Sequence, residues 1–226
     1  MNDSESTGQT IRSHAAGVVL YRLPEPNRLE IAAMNYCREG RTTIRVFMGK
    51  QGFAEGGRPE TFMETMAREV RSEAFDISIP FTHENEIKSL VYWELVPDDT
   101  DPEKDVRFAR LLHLKGFFGL KFIDGALRSH RLLEHDGTAK EEILDPPQWI
   151  EIGELWRQME PKGASPFVHK KAVAGCLHKL AEKEAGLAFH YGKLLDTTAG
   201  IVRTTPEYRG LVGAYLDSLN AELAEK

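Results

Sequence analysis

The sequence contains very few cysteines. Only two, Cys37 and Cys176, occur among 226 residues, and they lie far apart and form no CxxC pattern. Disulfide-stapled domains and structural zinc sites both require more cysteines or closer spacing. We therefore exclude a disulfide framework and a cysteine-based zinc site, and we expect both cysteines to be small buried hydrophobic residues.

Long apolar segments and an excess of positive charge are also lacking. No window approaches the roughly 20 apolar residues of a transmembrane helix, and the polar start lacks the hydrophobic segment of a secretory signal. The chain has 29 basic and 35 acidic residues, for a net charge of −6. This balance argues against a broad nucleic-acid or membrane surface, while a small basic pocket for a phosphate ligand stays compatible with it. We expect a cytoplasmic protein.

The spacing of apolar residues divides the chain into three parts. Residues 1–12 are polar and are expected to be disordered. In residues 13–160, turn residues separate predicted strands over HAAGVVLYRL, LEIAAMNY, TIRVFMG, EIKSLVYWELV and FARLLHLKGFFGLKFI. Helical periodicity then predicts helices over 150–159, 168–184 and 207–223. The predicted fold class is α+β, a sheet domain followed by a helical extension over residues 161–226.

The last predicted helix has an apolar stripe whose partner the sequence leaves open. The stripe contains Tyr208, Leu211, Tyr215 and Leu219. It could pack on the protein's own sheet or against a second copy of the chain, so a homodimer is one expectation.

One amphipathic helix carries two carboxylates in an unusual place. Thr61 and Glu64 form a capping-box pattern, which predicts that the helix begins at Phe62. Glu69 and Glu73 are four residues apart and fall at the edge of the apolar stripe, where like charges repel and lose hydration. A divalent cation would offset that cost, and hard oxygen ligands suit Mg²⁺ or Mn²⁺. The alternative interpretation is that both are rim residues of an acidic helix.

The segment from Gly52 to Ile77 resembles the Nudix box, G-x5-E-x7-R-E-U-x-E-E-x-G-U with U a bulky aliphatic residue. The matching features are the glycine-rich loop KQGFAEGGRPE, Glu60, the triplet REV at 68–70 and Glu73. The flanks HAAGVVLYR and EEILDPPQWIEIGEL are similar to the family's opening strand and closing segment. Three positions depart from the pattern: Gly52 is two residues too far from Glu60, Ser72 replaces a glutamate, and the motif ends in FD at 75–76.

The resemblance implies a Nudix-type mixed sheet sandwiched between helices, and metal-dependent hydrolysis of the pyrophosphate linkage in a nucleoside diphosphate linked to another moiety. Glu69 and Glu73 would be catalytic residues that ligate the metal, with a loop carbonyl at or near Gly52 as a further oxygen. Glu60 and Arg68 would form an ion pair that orients the loop against the helix. The small-molecule partner would be a nucleotide.

Other site residues are less well defined by the sequence. Glu55 in the loop, or Glu142 (alternatively its neighbour Glu141) before the closing segment, could act as general base; a charged turn is the alternative interpretation of the latter. Arg45 could bind a phosphate, as could Arg68, although a strand arginine can equally face solvent. Because Ser72 removes a carboxylate, a Nudix-like module that binds a nucleotide as a sensor or regulator is the alternative function.

Overall fold

The computed structural model describes residues 9–38, 41–73, 89–97, 111–122, 141–143, 147–202 and 208–224. These residues form eight strands: β1 (Thr10–Glu25), β2 (Arg28–Arg38), β3 (Arg41–Arg45), β4 (Phe47–Lys50), β5 (Leu90–Pro97), β6 (Leu111–Lys121), β7 (Glu141–Ile143) and β8 (Gln148–Glu151). They also form six helices: α1 (Phe62–Glu73), α2 (Ile152–Met159), α3 (Phe167–Ala181), α4 (Ala185–His190), α5 (Gly192–Thr198) and α6 (Arg209–Ala224).

β1 is the central strand of a mixed sheet with strand order β3-β2-β1-β6-β5. It runs parallel to β6 and antiparallel to β2 and β4. With 16 residues, β1 is long enough to pair with β4 through Ala15–Val18 and then with β2 from Tyr21 onward. The end of β4, where the glycine-rich loop begins, is therefore attached directly to the middle of the sheet.

Helices cover both faces of the sheet, which gives the core two halves. On one face, apolar residues of α2, α3 and α4 pack against the sheet; on the other face, those of α1 and α6 do so. The side chains of α1 and α6 in the second half are Phe62, Met66, Val70, Val212 and Leu216. The predicted α+β fold class, a mixed sheet between helices, is confirmed.

Several elements differ from the prediction. The predicted strand TIRVFMG is divided at the fully buried Val46, because β3 pairs with β2 whereas β4 pairs with β1. β7 begins at residues for which a charged turn was the alternative interpretation, and its backbone pairs with β2. α4 and α5 were not predicted. Cys176 is buried as expected, but Cys37 is only partly buried.

The C-terminal helices pack on the sheet of the same chain. α6 buries Val212 and Leu216 in the core, and Tyr208, Leu211 and Tyr215 pack around them. This contact accounts for the apolar stripe without a second subunit, and the homodimer stays a prediction. Of the expected disordered segment 1–12, Thr10–Arg12 belong to β1. No helix in the described ranges has the length and hydropathy to cross a membrane.

α1 begins at Phe62, as the capping box predicted. The Thr61 backbone N–H donates to Glu64 Oε2 at 2.8 Å, and the Glu64 N–H donates to Thr61 Oγ1 at 3.2 Å. Arg58, in the part of the loop that departs from the Nudix pattern, donates to the same carboxylate at 2.8 Å. The hydrogen bond from Arg58 lowers the pKa of Glu64 from 4.5 to about 2. The loop is thus attached to the first turn of α1.

We predict a pH-dependent role for Glu64 in stability. Because its folded pKa is depressed, its contribution is present above the unfolded value near 4.5 and is lost as the pH falls toward 2. Replacing Glu64→Gln should lower the free energy of unfolding by about 0.5 kcal/mol at pH 7, as expected for a partly exposed ion pair. Urea denaturation should show this difference shrinking as the pH falls from about 4.5 toward 2. A difference that stays constant over that range, or an equal effect of Glu55→Gln in the exposed loop, would contradict the assignment.

Candidate functional site

Glu60 attaches the glycine-rich loop to α1. Its side chain is nearly buried, and it accepts four hydrogen bonds: from the Gly52 N–H at 2.9 Å, from Thr65 Oγ1 at 3.0 Å, and from Arg68 Nε and Nη2 at 2.8 and 3.0 Å. Burial alone would raise the pKa of Glu60, but the hydrogen bonds from Arg68 and Gly52 outweigh it, and the pKa is lowered. Glu60 is therefore a buried, ionised carboxylate whose acceptors are satisfied within the protein.

Arg68 is held by the loop and by α1 together. The Glu60–Arg68 ion pair expected from the sequence is present. Arg68 Nη2 also donates to the Lys50 carbonyl at 2.7 Å, and Nη1 donates to Glu69 Oε1. Four of the five N–H groups of a guanidinium are thus engaged. This geometry gives Arg68 a structural role and leaves it little capacity for a phosphate.

Glu69 is positioned by a glycine that the sequence analysis did not single out. Gly49 lies on β4 directly against this side chain: a Cβ built on Gly49 would be 1.8 Å from Glu69 Cδ and 2.0 Å from Oε1. The side chain of Glu69 is only 14% exposed. A residue larger than glycine at position 49 would displace the carboxylate, so β4 and α1 together define where Glu69 can be.

Glu73 lies one helical turn further along α1 and is 4% exposed. Since residues four apart on a helix are neighbours on its surface, Glu69 and Glu73 form a pair of shielded carboxylates on one face of α1. Ser72, which stands where the Nudix pattern has a glutamate, donates its hydroxyl to the Glu69 carbonyl at 2.9 Å. That hydroxyl binds the helix backbone.

The pair fits a magnesium-type cation by the chemistry of its donors. Both side chains are shielded carboxylates, which are hard oxygen donors, and Arg68 lies beside Glu69. Mg²⁺ is commonly held by one or two carboxylates, with water and phosphate oxygens completing six ligands. Among the described residues, no group of three or more histidine, cysteine, aspartate or glutamate side chains could hold a metal ion. Glu69 and Glu73 would be the two carboxylate ligands of such a cation.

The other predicted site residues are distributed around this pair. The Gly52 carbonyl accepts the Glu60 N–H at 3.0 Å. Glu55 is exposed in the loop. Arg45 donates to Thr43 Oγ1 at 2.9 Å, and its guanidinium carbon lies 4.4 Å from the centre of the Tyr36 ring. Glu142 pairs with β2 through its backbone, and its role as general base stays a prediction.

A cleft of about 460 Å³ lies beside the end of β4. It is lined by Arg12, Ser13, His14, Lys50, Gln51, Gly52, Phe53, Pro59, Val96, Pro97, His113 and Lys115. Among the residues that the structure describes, the lining contains three lysine or arginine side chains and no carboxylate, in a protein whose net charge is −6. Phe53 stands at the loop with 78% of its surface exposed.

The basic residues of the cleft are Arg12, Lys50 and Lys115. No ion pair of Arg12, Lys50 or Lys115 occurs within the part of the chain that the structure describes. Glu94, the cross-strand neighbour of Lys115, is paired with Lys171 at 2.6 Å. Sequence analysis allowed for a small basic pocket but could not locate it, because its basic residues come from β1, β4 and β6 and meet only in the folded sheet.

Comparisons with known proteins yield matches among solved structures only. No protein-family model and no curated protein matches the chain. It is similar to the Nudix domain of Shewanella oneidensis NrtR complexed with ADP ribose, with 10% identity, 76% of this chain and 88% of that chain covered, and a TM-score of 0.45. It is also similar to an Ap4A hydrolase of C. elegans, with 16% identity, 76% of this chain and 99% of that chain covered, and a TM-score of 0.44. With the MutT protein of Methanosarcina mazei Go1 it shares 11% identity, with 76% of this chain and 96% of that chain covered, and a TM-score of 0.45.

These TM-scores are below 0.5, and a shared fold does not by itself establish a shared activity. The activity therefore has to be argued from the site. The architecture is a mixed sheet between helices with the box helix against the central strands, which is the α+β fold that the sequence resemblance to the Nudix superfamily implied.

Proposed function

We propose that this protein is a metal-dependent hydrolase of the Nudix type, which cleaves the pyrophosphate linkage of a nucleoside diphosphate joined to another moiety. The observation that carries the proposal is the pair Glu69 and Glu73, which is shielded on one face of α1, with Glu69 placed against Gly49. Two neighbouring carboxylates on one helix face are the oxygen donors by which a magnesium-type cation is commonly held.

The residues divide the work between binding and positioning. Glu69 and Glu73 would hold Mg²⁺ or Mn²⁺, which when bound supplies a Lewis acid for the phosphoryl oxygens and lowers the pKa of water. Arg68 orients Glu69 and limits the repulsion between the two carboxylates. Glu60 keeps the loop backbone closed over the start of α1 through the Gly52 N–H. Glu55 and Glu142 remain the proposed general bases.

The basic cleft supports a phosphate-bearing substrate. Lys50 directly follows Gly49 in β4, and its carbonyl accepts a hydrogen bond from the Arg68 side chain that also contacts Glu69. The cleft and the carboxylate pair therefore border the same short segment of backbone. Lysine and arginine attract phosphate groups, and the exposed Phe53 offers a surface on which a nucleobase can stack.

The alternative is a nucleotide-binding module without turnover. Ser72 is the specific observation that favours it, because its hydroxyl is used by the Glu69 carbonyl and it adds no carboxylate to the site. The two functions differ in a direct assay. The enzyme releases a mononucleotide from nucleoside diphosphate derivatives in the presence of Mg²⁺ or Mn²⁺, whereas the module binds such a compound saturably and leaves it intact.

Replacing Glu73→Gln should lower kcat by about 100-fold or more, a loss typical of removing a group that stabilises charge in the transition state. The amide keeps the size of the side chain, so far-ultraviolet circular dichroism and the melting temperature should change little. The measurement is release of mononucleotide from a panel of nucleoside diphosphate derivatives. Glu64→Gln on the same helix is the matched control and should retain nearly full turnover. Equal turnover by wild type and Glu73→Gln would refute the proposed metal role.

Replacing Gly49→Ala should reduce turnover in the same way as Glu69→Gln, because the added Cβ would occupy the place of the Glu69 carboxyl group. If both changes act on that carboxylate, the double variant should be no slower than the slower single variant. Steady-state kinetics of the three variants test this. A Gly49→Ala protein with wild-type kcat would contradict the proposed position of Glu69.

Replacing Lys50→Ala or Lys115→Ala should raise KM by about tenfold, equivalent to about 1.4 kcal/mol of binding free energy, while kcat changes less. The effect should weaken at high salt, because exposed charges are screened. Lys193→Ala, an exposed lysine on α5 outside the cleft, is the control. Unchanged KM in both cleft variants would show that the substrate binds elsewhere.

A further inference from the structure

A chain of hydrogen bonds connects the C-terminal helix to the glycine-rich loop. The Tyr215 hydroxyl on α6 lies 2.9 Å from His14 Nδ1 on β1, and His14 Nε2 lies 2.9 Å from Thr65 Oγ1 on α1. Thr65 Oγ1 lies 3.0 Å from Glu60 Oε2, the oxygen that also accepts the Gly52 N–H. Five residues from β1, α1, α6 and the glycine-rich loop are thus joined in one continuous path.

The direction of each hydrogen bond follows from its acceptor. Glu60 is ionised and can only accept, so the single hydroxyl proton of Thr65 is donated to it. Thr65 Oγ1 must then accept from His14, which places the imidazole proton on Nε2. Nδ1 is left as an acceptor, and the Tyr215 hydroxyl donates to it. All three donors between Tyr215 and Glu60 therefore point toward the Glu60 carboxylate.

The surroundings of His14 keep its imidazole neutral and its hydrogen bonds in one direction. His14 is fully buried, and its ring lies 5.1 Å from the ring of Phe62. Burial, with a smaller effect of His113, lowers the pKa of His14 to about 3, so the imidazole is neutral near pH 7. A neutral imidazole has one donor and one acceptor, and both are used here. Buried polar groups that satisfy one another in this way restrict the side chains to one geometry.

We infer that Tyr215 is a positioning residue: through His14 and Thr65, α6 holds Glu60 and thereby the Gly52 end of the glycine-rich loop. The helix that the Nudix resemblance does not cover would then be part of the site's support. The effect on the loop is independent of any activity, and only its consequence for turnover rests on the proposed hydrolase function.

Hydrogen–deuterium exchange of the Gly52 and Glu60 amides, followed by nuclear magnetic resonance, tests the inference. Both amides donate within the loop closure, to Glu60 Oε2 and to the Gly52 carbonyl. Tyr215→Phe removes the hydroxyl but keeps the ring, and exchange at both amides should accelerate about fivefold, as expected for the loss of one hydrogen bond. Tyr208→Phe is the matched control, because no hydrogen bond of that hydroxyl occurs within the described residues.

Substitutions at Thr65 distinguish the loss of these hydrogen bonds from a general loss of packing. Thr65→Val preserves shape and removes the hydroxyl, and it should accelerate the same two amides. Thr65→Ser retains the hydroxyl and should restore slow exchange. Because both substitutions act through the same chain of hydrogen bonds, the Gly52 and Glu60 amides of the Tyr215→Phe/Thr65→Val protein should exchange no faster than those of the more affected single variant. Wild-type exchange rates in Tyr215→Phe, or equal acceleration in Tyr208→Phe, would overturn the inference.

Turnover gives a second readout that is interpreted separately. In a protein with measurable hydrolase activity, Tyr215→Phe should lower kcat about fivefold with little change in KM, since the loop and not the basic cleft is affected. Thr65→Ser should recover kcat. A raised KM with unchanged kcat would contradict the assignment. If the wild-type protein hydrolyses none of the substrates, the proposed function fails, and the exchange rates still decide whether α6 positions the loop.

Discussion

A single buried carboxylate, Glu60, holds the glycine-rich loop and α1 together. It receives hydrogen bonds from the loop backbone, from Thr65 on the helix and from two nitrogens of Arg68. A buried charge with several charge-assisted hydrogen bonds is stable, whereas the loss of any one partner leaves the charge poorly compensated. The positions of the loop, of Arg68 and of Glu69 all depend on the Glu60 carboxylate.

Arg68 links the structural carboxylate to the functional pair. One guanidinium contacts Glu60, the Lys50 carbonyl and Glu69, so the positions of loop, strand end and helix are correlated. This contact places a positive charge beside Glu69, one of the two carboxylates on adjacent turns of α1. The proposed divalent ion would be held by the oxygens of Glu69 and Glu73.

Much of this site could be predicted from local patterns. The capping box of Thr61 and Glu64, the start of α1 and the spacing of Glu69 and Glu73 depend on residues within a few positions of one another, where helical geometry is regular. The Glu60–Arg68 pair came from the family resemblance. The contact of Gly49 with Glu69 could not be predicted, because it requires the orientation of β4 against α1.

The features that the sequence did not predict depend on contacts between residues far apart in the chain. The basic cleft combines β1, β4 and β6, and the link from Tyr215 to His14 joins residues 201 positions apart. Sequence periodicity identifies the apolar face of α6 but not the polar atom that its tyrosine reaches. The division of TIRVFMG at Val46 likewise depends on which strands lie beside it, since each half is a good β sequence by itself.

The central claim is that Glu69 and Glu73 form a divalent cation site on α1. Titration with Mn²⁺ followed by nuclear magnetic resonance tests it most directly, because a bound paramagnetic ion broadens the signals of nearby amides. The account predicts saturable broadening centred on residues 69–73 and on Gly49, and its loss in the Glu69→Gln/Glu73→Gln protein. Broadening centred elsewhere, or unchanged in that double variant, would contradict it.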